Sequence, residues 1–186
     1  PRALLKTQLE RLQQAGFQAM AGTELEYYLF KDSYAQAKAK GYENLETSGW
    51  YLEDYNLLPG TREEPLHAAA RRHLEQSGVP VESSKGEWGP GQHELNLRYA
   101  HALEMSDRHA LYKHGLKEMA HQQGLAVSFM AKWRADLAGS GMHLHLSLWD
   151  PTGERNLFAG DEALGPLRVS PLFRHFLGGW LAHARA

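Results

Sequence analysis

Alternation of polar and apolar side chains is the feature that most constrains the fold of this chain. It is sharpest in residues 142–149, which read MHLHLSLW, so that two histidines and a serine alternate with apolar residues. Because successive side chains of a β-strand point to opposite faces, this run predicts a strand with one polar and one buried face. Residues 23–30 and 92–99 alternate in the same way, with Gln92, Glu94 and Asn96 on the polar face of the second run. The three runs together predict a largely antiparallel sheet that buries one face.

Helical patterns lie between these strands. Leu5, Leu9 and Leu12 recur at helical spacing, between Pro1 and Gly16. Apolar stripes at similar spacing, or alanine-rich composition, predict further helices around residues 34–40, 66–78, 112–124 and 172–177. The stretches 41–60 and 150–165 show no sustained period and are rich in turn residues, so we expect loops there. The sequence therefore predicts an α+β fold, a largely antiparallel sheet with helices packed on one face.

Composition excludes several classes of protein. With 186 residues, 42% of them hydrophobic, the chain is long enough for the core of one domain. The formal charge of −2 gives no reason to expect nucleic acid or an anionic membrane as a partner. There is no cysteine, which excludes thiolate zinc sites and cysteine nucleophiles. No apolar run approaches the length of a membrane span, so we expect a cytoplasmic protein.

The polar faces of the predicted strands collect carboxylates and imidazoles. Glu24 and Glu26 are two positions apart on one strand, about 6.5 to 7 Å, so each could serve a different metal of a neighbouring pair. The glycines of the run 86–91 predict a turn that carries Glu87, directly before the strand of Glu94. If Glu87 and Glu94 converge on Glu24 and Glu26, two divalent cations would balance the charge, and oxygen ligands with one imidazole favour Mg²⁺ or Mn²⁺. A half-solvated sheet face produces the same polarity without any function, and that alternative stays open.

Three motifs occur in order along the chain: GTELEYYLF, VESSKGEWGPGQHELNL and GSGMHLHLSLWD. In this order and spacing they resemble the catalytic domain of the glutamine synthetase family. The resemblance implies that residues 1–186 form the central part of a glutamine synthetase-type catalytic domain, without the family's small N-terminal β-grasp domain and its C-terminal part. The run EWGPGQHE is more similar to the branch that includes γ-glutamylpolyamine synthetases.

The resemblance also implies two bound cations, Mg²⁺ or Mn²⁺. Glu26, Glu87 and Glu94 match the family's ligands of the first cation. Glu24 and His143 match its ligands of the second cation. We therefore expect all five side chains to meet at one place on the sheet.

Further positions match the family's contacts with its substrates. Glu82, His145 and Ser147 match residues that contact ATP, and Gly139 matches a glycine that contacts the substrate glutamate. Ala138 stands where bacterial glutamine synthetases commonly have Asn, so one expected glutamate contact lacks its side chain. The resemblance identifies no catalytic residue beyond these binding positions within the chain.

The function implied by the resemblance is that of an ATP-dependent ligase of nitrogen metabolism. Such an enzyme joins an amine, ammonia or a larger one, to the γ-carboxylate of glutamate through γ-glutamyl phosphate, usually in a homo-oligomeric ring. We expect residues 1–186 alone to be inactive. Two other hypotheses stay open: a non-catalytic structural or ligand-sensing member of the family, and a binuclear metal hydrolase built on His143 and His145.

Overall fold

The fold is described from a computed structural model, which describes residues 1–184. The elements follow one another in the order α1 (Arg2–Gln14), β1 (Gln18–Phe30), α2 (Tyr34–Ala39), α3 (Leu57–Gln76), β2 (Val81–Gly86), β3 (Gln92–Leu97), β4 (Ala100–His101), α4 (Ala102–Gln122), β5 (Ala126–Ser128), β6 (Met142–Trp149), β7 (Glu162–Leu164), β8 (Leu167–Val169) and α5 (Pro171–His183). No helix of the described residues is both long and apolar enough to cross a membrane.

The main sheet is built around β1. Its strands follow the order β2-β3-β1-β4, and both β5 and β6 also pair with β1. The pairs β1–β3, β1–β4, β1–β5 and β2–β3 are antiparallel. Tyr28 pairs with both Gln92 and Ser128, so β3 and β5 lie on opposite sides of β1. The predicted α+β class with a largely antiparallel sheet is confirmed.

The chain forms two compact units. Among the described residues, one consists of Pro1–Ala21, Ala100–Glu104 and residues 145–184, and the other of Gly22–Tyr99 and Met105–Leu144. The second, larger unit contains most of the buried core, to which β1, α3, β3 and α4 contribute. Its fully buried apolar side chains include Leu29, Leu66, Leu95 and Leu116.

The first unit has its own local packing. Met20 at the start of β1 pairs with His101 of β4. Phe158 packs against Phe173 and Phe176 of α5, with ring centroids 5.1 and 5.0 Å apart. The hydroxyl of Ser170 accepts a hydrogen bond from the Phe173 amide, which caps the first turn of α5.

Helix α3 begins earlier than the sequence predicts. The loop expected over 41–60 ends at Asn56, whose side chain accepts a hydrogen bond from the amide of Leu58 and caps the helix. Pro59 is tolerated because it lies in the first turn, where backbone amides have no partner within the helix. The predicted loop was therefore wrong for its last four residues.

Two other expectations were wrong. The loop expected over 150–165 already contains β7, which pairs with β8 as a hairpin. The apolar side chains at the start of β6 are not buried: Met142 is 54% exposed and Leu144 48% exposed. The other elements of the described chain leave this end of β6 half open, so its alternation does not reflect a buried face here.

Candidate metal centre

Three acidic side chains meet on one face of the larger unit. In the β1–β3 register Glu26 lies directly opposite Glu94, and in the β2–β3 register Glu94 lies opposite Lys85. Glu87 follows β2 directly. Carboxylate oxygens of Glu26, Glu87 and Glu94 lie within 4.8 Å of one another. We call these three residues the carboxylate triad.

The turn between β2 and β3 brings Glu87 to this position. The amide of Glu87 donates to the Gln92 carbonyl at 2.8 Å, and the Gln92 amide donates to the Gly89 carbonyl at 2.9 Å. Gly91 has a φ of 76°, in the left-handed region that favours glycine. A Cβ on Gly89 would lie 2.0 Å from the Tyr28 hydroxyl. The glycines of the run GEWGPGQ are thus what permit so tight a turn.

Gln92 fixes the Glu26 carboxylate. Its side chain is almost completely buried, and its Nε2 donates to Glu26 Oε2 and to the Gly139 carbonyl, both at 2.9 Å. Its Oε1 accepts a hydrogen bond from the Gly89 amide at 2.9 Å. The amide of Gly141 donates to the same Glu26 oxygen at 3.0 Å. Glu26 is therefore held by two donors that belong to two different segments of the chain.

The triad carries an excess of negative charge that a divalent cation would balance. Like charges opposite one another on neighbouring strands repel, with a Coulomb energy of about 3 to 4 kcal/mol per pair at 4.8 Å and an effective dielectric constant of 20. Lys85 offsets one charge: it pairs with Glu87, and its Nζ lies 3.8 Å from Glu94 Oε1. The remaining formal charge is −2, and carboxylate oxygens are the ligands that Mg²⁺ and Mn²⁺ prefer.

Lys85 remains charged in this setting. Partial burial acts to lower the pKa of its amine, but the hydrogen bond and the charge of Glu87, together with the charge of Glu94, raise that pKa overall. Asn96 also contacts the triad, since its Nδ2 donates to Glu94 Oε1 at 3.0 Å. The residues present fit a divalent cation, and Lys85 is the charge that such a cation would have to displace.

Glu24 and His143 lie together beside the triad. His143 Nδ1 is 3.0 Å from Glu24 Oε2. The hydrogen bond with Glu24 raises the pKa of the imidazole, as do the negative charges of Glu24, Glu26 and Glu94. A Cβ on Gly141 would lie 3.1 Å from Glu26 Oε1 and 3.2 Å from His143 Nε2, so glycine leaves room for both side chains. The five predicted metal ligands thus occupy one region of the larger unit.

The loop that contains Gly139 is fixed to the sheet. Burial raises the pKa of Tyr28 to about 12, so its hydroxyl keeps its proton and donates to the Ala138 carbonyl at 2.9 Å. The amide of Ser140 donates to the Ala131 carbonyl at 2.8 Å. A Cβ on Gly139 would lie 2.8 Å from the same carbonyl oxygen, closer than real Cβ contacts. The backbone at Gly139 therefore requires glycine.

The residues matched to ATP contacts are divided between the two units. Glu82 is exposed, at an irregularity of the β2–β3 register between Val81 and Ser83. His145 and Ser147 belong to the part of β6 that lies in the smaller unit. The hydroxyl of Ser147 accepts a hydrogen bond from the Trp149 indole at 2.9 Å. The ATP contacts of all three residues stay predictions.

The sequence did not single out Lys85 or Tyr28, and it placed Gln92 only on a polar face. The position of Gln92 two residues before Glu94 was a usable signal, because alternate side chains of a strand share a face. The role of Tyr28 had no such signal, since its contact with Ala138 joins residues 110 positions apart.

Comparison with known proteins places this geometry in a family. Residues 1–186 match the sequence profile of the glutamine synthetase catalytic domain. The chain is 43% identical over 185 residues to a gamma-glutamylethanolamide synthetase of Streptomyces coelicolor, covering 100% of the chain and 38% of that protein. It is 35% identical over 185 residues to a glutamate–isopropylamine ligase of a Pseudomonas species, covering 100% of the chain and 40% of that protein.

A solved structure supports the same assignment. The ligand-free structure of the protein called GmaS superposes with a TM-score of 0.86 at 32% identity, covering 100% of this chain and 42% of GmaS. The chain thus spans about two fifths of the length of the relatives that it matches. Because the family profile covers all of its residues, the chain belongs to the glutamine synthetase family.

Proposed function

We propose that the protein containing this chain is an ATP-dependent carbon–nitrogen ligase, which joins an amine to the γ-carboxylate of glutamate through γ-glutamyl phosphate. The carboxylate triad is proposed to hold one divalent cation, Mg²⁺ or Mn²⁺, and Glu24 with His143 a second. The observation that carries the proposal is the approach of Glu26, Glu87 and Glu94 to within 4.8 Å of one another. A cytoplasmic, homo-oligomeric ring enzyme is part of the same proposal.

The residues of this chain would position the substrates and supply the negative charge that holds the cations. When bound, the two cations would reduce the repulsion between a carboxylate nucleophile and a triphosphate and would orient the phosphates. Gln92 and the Gly141 amide hold Glu26 in a fixed orientation, which lowers the cost of arranging the ligands. Glu82, His145 and Ser147 are proposed to contact ATP, and Gly139 to contact glutamate.

The acceptor is proposed to be an amine larger than ammonia. One relative is named a gamma-glutamylethanolamide synthetase and another a glutamate–isopropylamine ligase, so both names contain a substituted amine. The run EWGPGQHE is more similar to the family branch that includes γ-glutamylpolyamine synthetases. Both observations support an amine with a carbon substituent.

The test is amine-dependent phosphate release by the full-length protein. ATP, Mg²⁺ or Mn²⁺ and glutamate would be supplied with ammonia, ethanolamine, isopropylamine or a polyamine, and the γ-glutamyl product identified by mass. We expect a substituted amine to stimulate phosphate release and Glu87→Gln to reduce turnover at least 100-fold. Glu118→Gln, at an exposed site on α4, is the matched control and should retain activity.

A protein that binds ATP but releases no phosphate with any amine would contradict the ligase proposal and favour the non-catalytic alternative. Phosphate release that does not depend on glutamate would favour a hydrolase. Full activity in Glu87→Gln would contradict the role of the triad while leaving the reaction class intact.

A further inference from the structure

A second cluster of ligand-type side chains lies inside the larger unit. It consists of Glu53, Glu63, His67 and His93, each at most 7% exposed. His93 immediately precedes Glu94 on β3, so the two side chains point to opposite faces of the sheet. The cluster is therefore distinct from the carboxylate triad, and nothing in the proposed reaction uses it.

Three separate segments position the cluster. Glu63 and His67 are four residues apart on α3, the spacing that places two side chains on one face of a helix. His93 comes from β3. Glu53 comes from the segment before α3, and its Oε1 accepts a hydrogen bond from the Gly91 amide at 2.8 Å. The helix, the strand and the segment before the helix thus contribute four side chains that have metal-ligand atoms.

Several of these ligand atoms are buried without a hydrogen-bond partner among the described residues: Glu53 Oε2, Glu63 Oε1, His67 Nε2 and His93 Nε2. One ligand atom from each of Glu53, Glu63 and His93 lies within 4.8 Å of the others. The His67 ring lies against the His93 ring, with centroids 4.5 Å apart. Buried polar atoms are nearly always paired, so this concentration of unpaired ligand atoms calls for a partner.

The guanidinium of Arg62 does not supply that partner to Glu63. Arg62 Nη2 lies 3.8 Å from Glu63 Oε1, beyond hydrogen-bond distance. The same nitrogen donates to the Ser48 carbonyl, and the guanidinium stacks on Trp50 with its Cζ 3.7 Å from the ring centroid. Arg62 offsets one of the two carboxylate charges, so the cluster keeps a formal charge of −1, and a bound cation would supply the partner that the unpaired ligand atoms lack.

We propose that Glu53, Glu63 and His93 hold a structural Zn²⁺ ion and that His67, whose ring lies against that of His93, turns to supply the fourth ligand. Zinc takes nitrogen and oxygen ligands in tetrahedral geometry, and bonds of about 2.1 Å place neighbouring ligand atoms about 3.4 Å apart. His93 Nε2 and Glu53 Oε2 are 3.5 Å apart, which matches that spacing. The ion would join α3 to β3 and, through Glu53, to the turn at Gly91.

The test measures zinc in the full-length protein, made without a metal-affinity tag and dialysed against EDTA. Elemental analysis would be followed by Co²⁺ titration of chelator-stripped protein, because four-coordinate Co²⁺ absorbs visible light far more strongly than a six-coordinate ion. The variants are His67→Gln, Glu63→Gln and Glu87→Gln. His73→Gln, at an exposed position of the same helix, is the matched control.

We expect about one zinc per chain in the wild type, in His73→Gln and in Glu87→Gln. His67→Gln and Glu63→Gln should bind Zn²⁺ at least tenfold more weakly and lack the intense Co²⁺ absorption. Wild-type protein without zinc and without that absorption would overturn the proposal, whether or not either variant folds. Equal zinc binding in all variants would overturn it as well. Because Glu87→Gln removes a member of the triad only, failure of this site is distinguishable from failure of the proposed ligase.

Discussion

Gln92 offers the sharpest test of how the triad is held in place. Its amide donates to Glu26 Oε2 and to the Gly139 carbonyl and accepts from the buried Gly89 amide, each at 2.9 Å. Gln92→Leu keeps the side chain close in size but removes these three hydrogen bonds and a longer one, of 3.4 Å, to Ser140 Oγ. It leaves the Gly89 amide buried without an acceptor, and Glu26 with one donor instead of two.

Gln92→Leu should lower both the stability of the fold and the affinity for Mn²⁺. An unpaired buried amide and a lost hydrogen bond to a carboxylate together lower the free energy of unfolding by about 2 to 5 kcal/mol. Loss of a group that orients a metal ligand typically weakens metal binding about 10- to 100-fold. We therefore expect Gln92→Leu to raise the Kd for Mn²⁺ by that factor while the protein stays folded at low temperature.

The measurements are urea unfolding and Mn²⁺ titration of the full-length protein. Gln92→Glu is a second variant: it keeps the acceptor for Gly89 but turns an oxygen instead of a donor toward Glu26, and it should weaken Mn²⁺ binding too. Gln76→Leu, at the exposed end of α3, is the matched control. An Mn²⁺ Kd within about threefold of wild type in both Gln92 variants would refute the reasoning, because such a change is under about 0.7 kcal/mol.

Three further outcomes follow from contacts of the larger unit. Lys85→Met should tighten Mn²⁺ binding about 3- to 30-fold by calorimetry, because it removes the positive charge that competes for the triad, and weaker binding would contradict this. Gly139→Ala should raise the KM for glutamate at least tenfold in the phosphate-release assay, because the new Cβ lies 2.8 Å from the Ala131 carbonyl, and an unchanged KM would contradict it. Asp32→Asn should lower stability at pH 7 by about 1 kcal/mol, because the hydrogen bond with Lys40 holds the pKa of Asp32 below its usual value. Since a lowered carboxyl pKa stabilises the fold only where the group is ionised, urea unfolding should show the difference at pH 7 and lose it as the pH falls below about 4.

Much of the triad could be predicted because it depends on short-range patterns. Alternation assigned Glu24, Glu26 and Glu94 to strand faces, and the glycines of the run 86–91 indicated the turn that carries Glu87. The register that puts Glu26 opposite Glu94 was not predicted from the residues. This register depends on how β1 and β3 pair across 68 positions of sequence. The expectation that Glu26 and Glu94 meet came from the family resemblance.

Helix α3 shows why local composition failed elsewhere. Pro59, Gly60 and Pro65 all argue against a helix, yet the helix runs from Leu57 to Gln76. Burial of its apolar face, which includes Leu66, outweighs these preferences, because tertiary packing supplies most of the stability of a helix in a protein.

The buried cluster was invisible for a related reason. Glu53 lies in a stretch without a periodic pattern, where carboxylates are ordinarily solvated. Its burial follows from close backbone approaches: a Cβ on Gly49 would lie 1.7 Å from Glu53 Oε1, and one on Gly86 would lie 2.4 Å from the Glu53 carbonyl oxygen. Such approaches arise only in the folded chain, so they could not be predicted from residue spacing in the sequence.

Diffraction from crystals of the full-length protein soaked in Mn²⁺ tests the central claim most directly, through the anomalous signal of the metal. We predict an anomalous peak bonded to carboxylate oxygens of Glu26, Glu87 and Glu94, at about 2.0 to 2.3 Å from each. Crystals of protein active with Mn²⁺ that show its anomalous peaks only away from these three side chains would contradict the account.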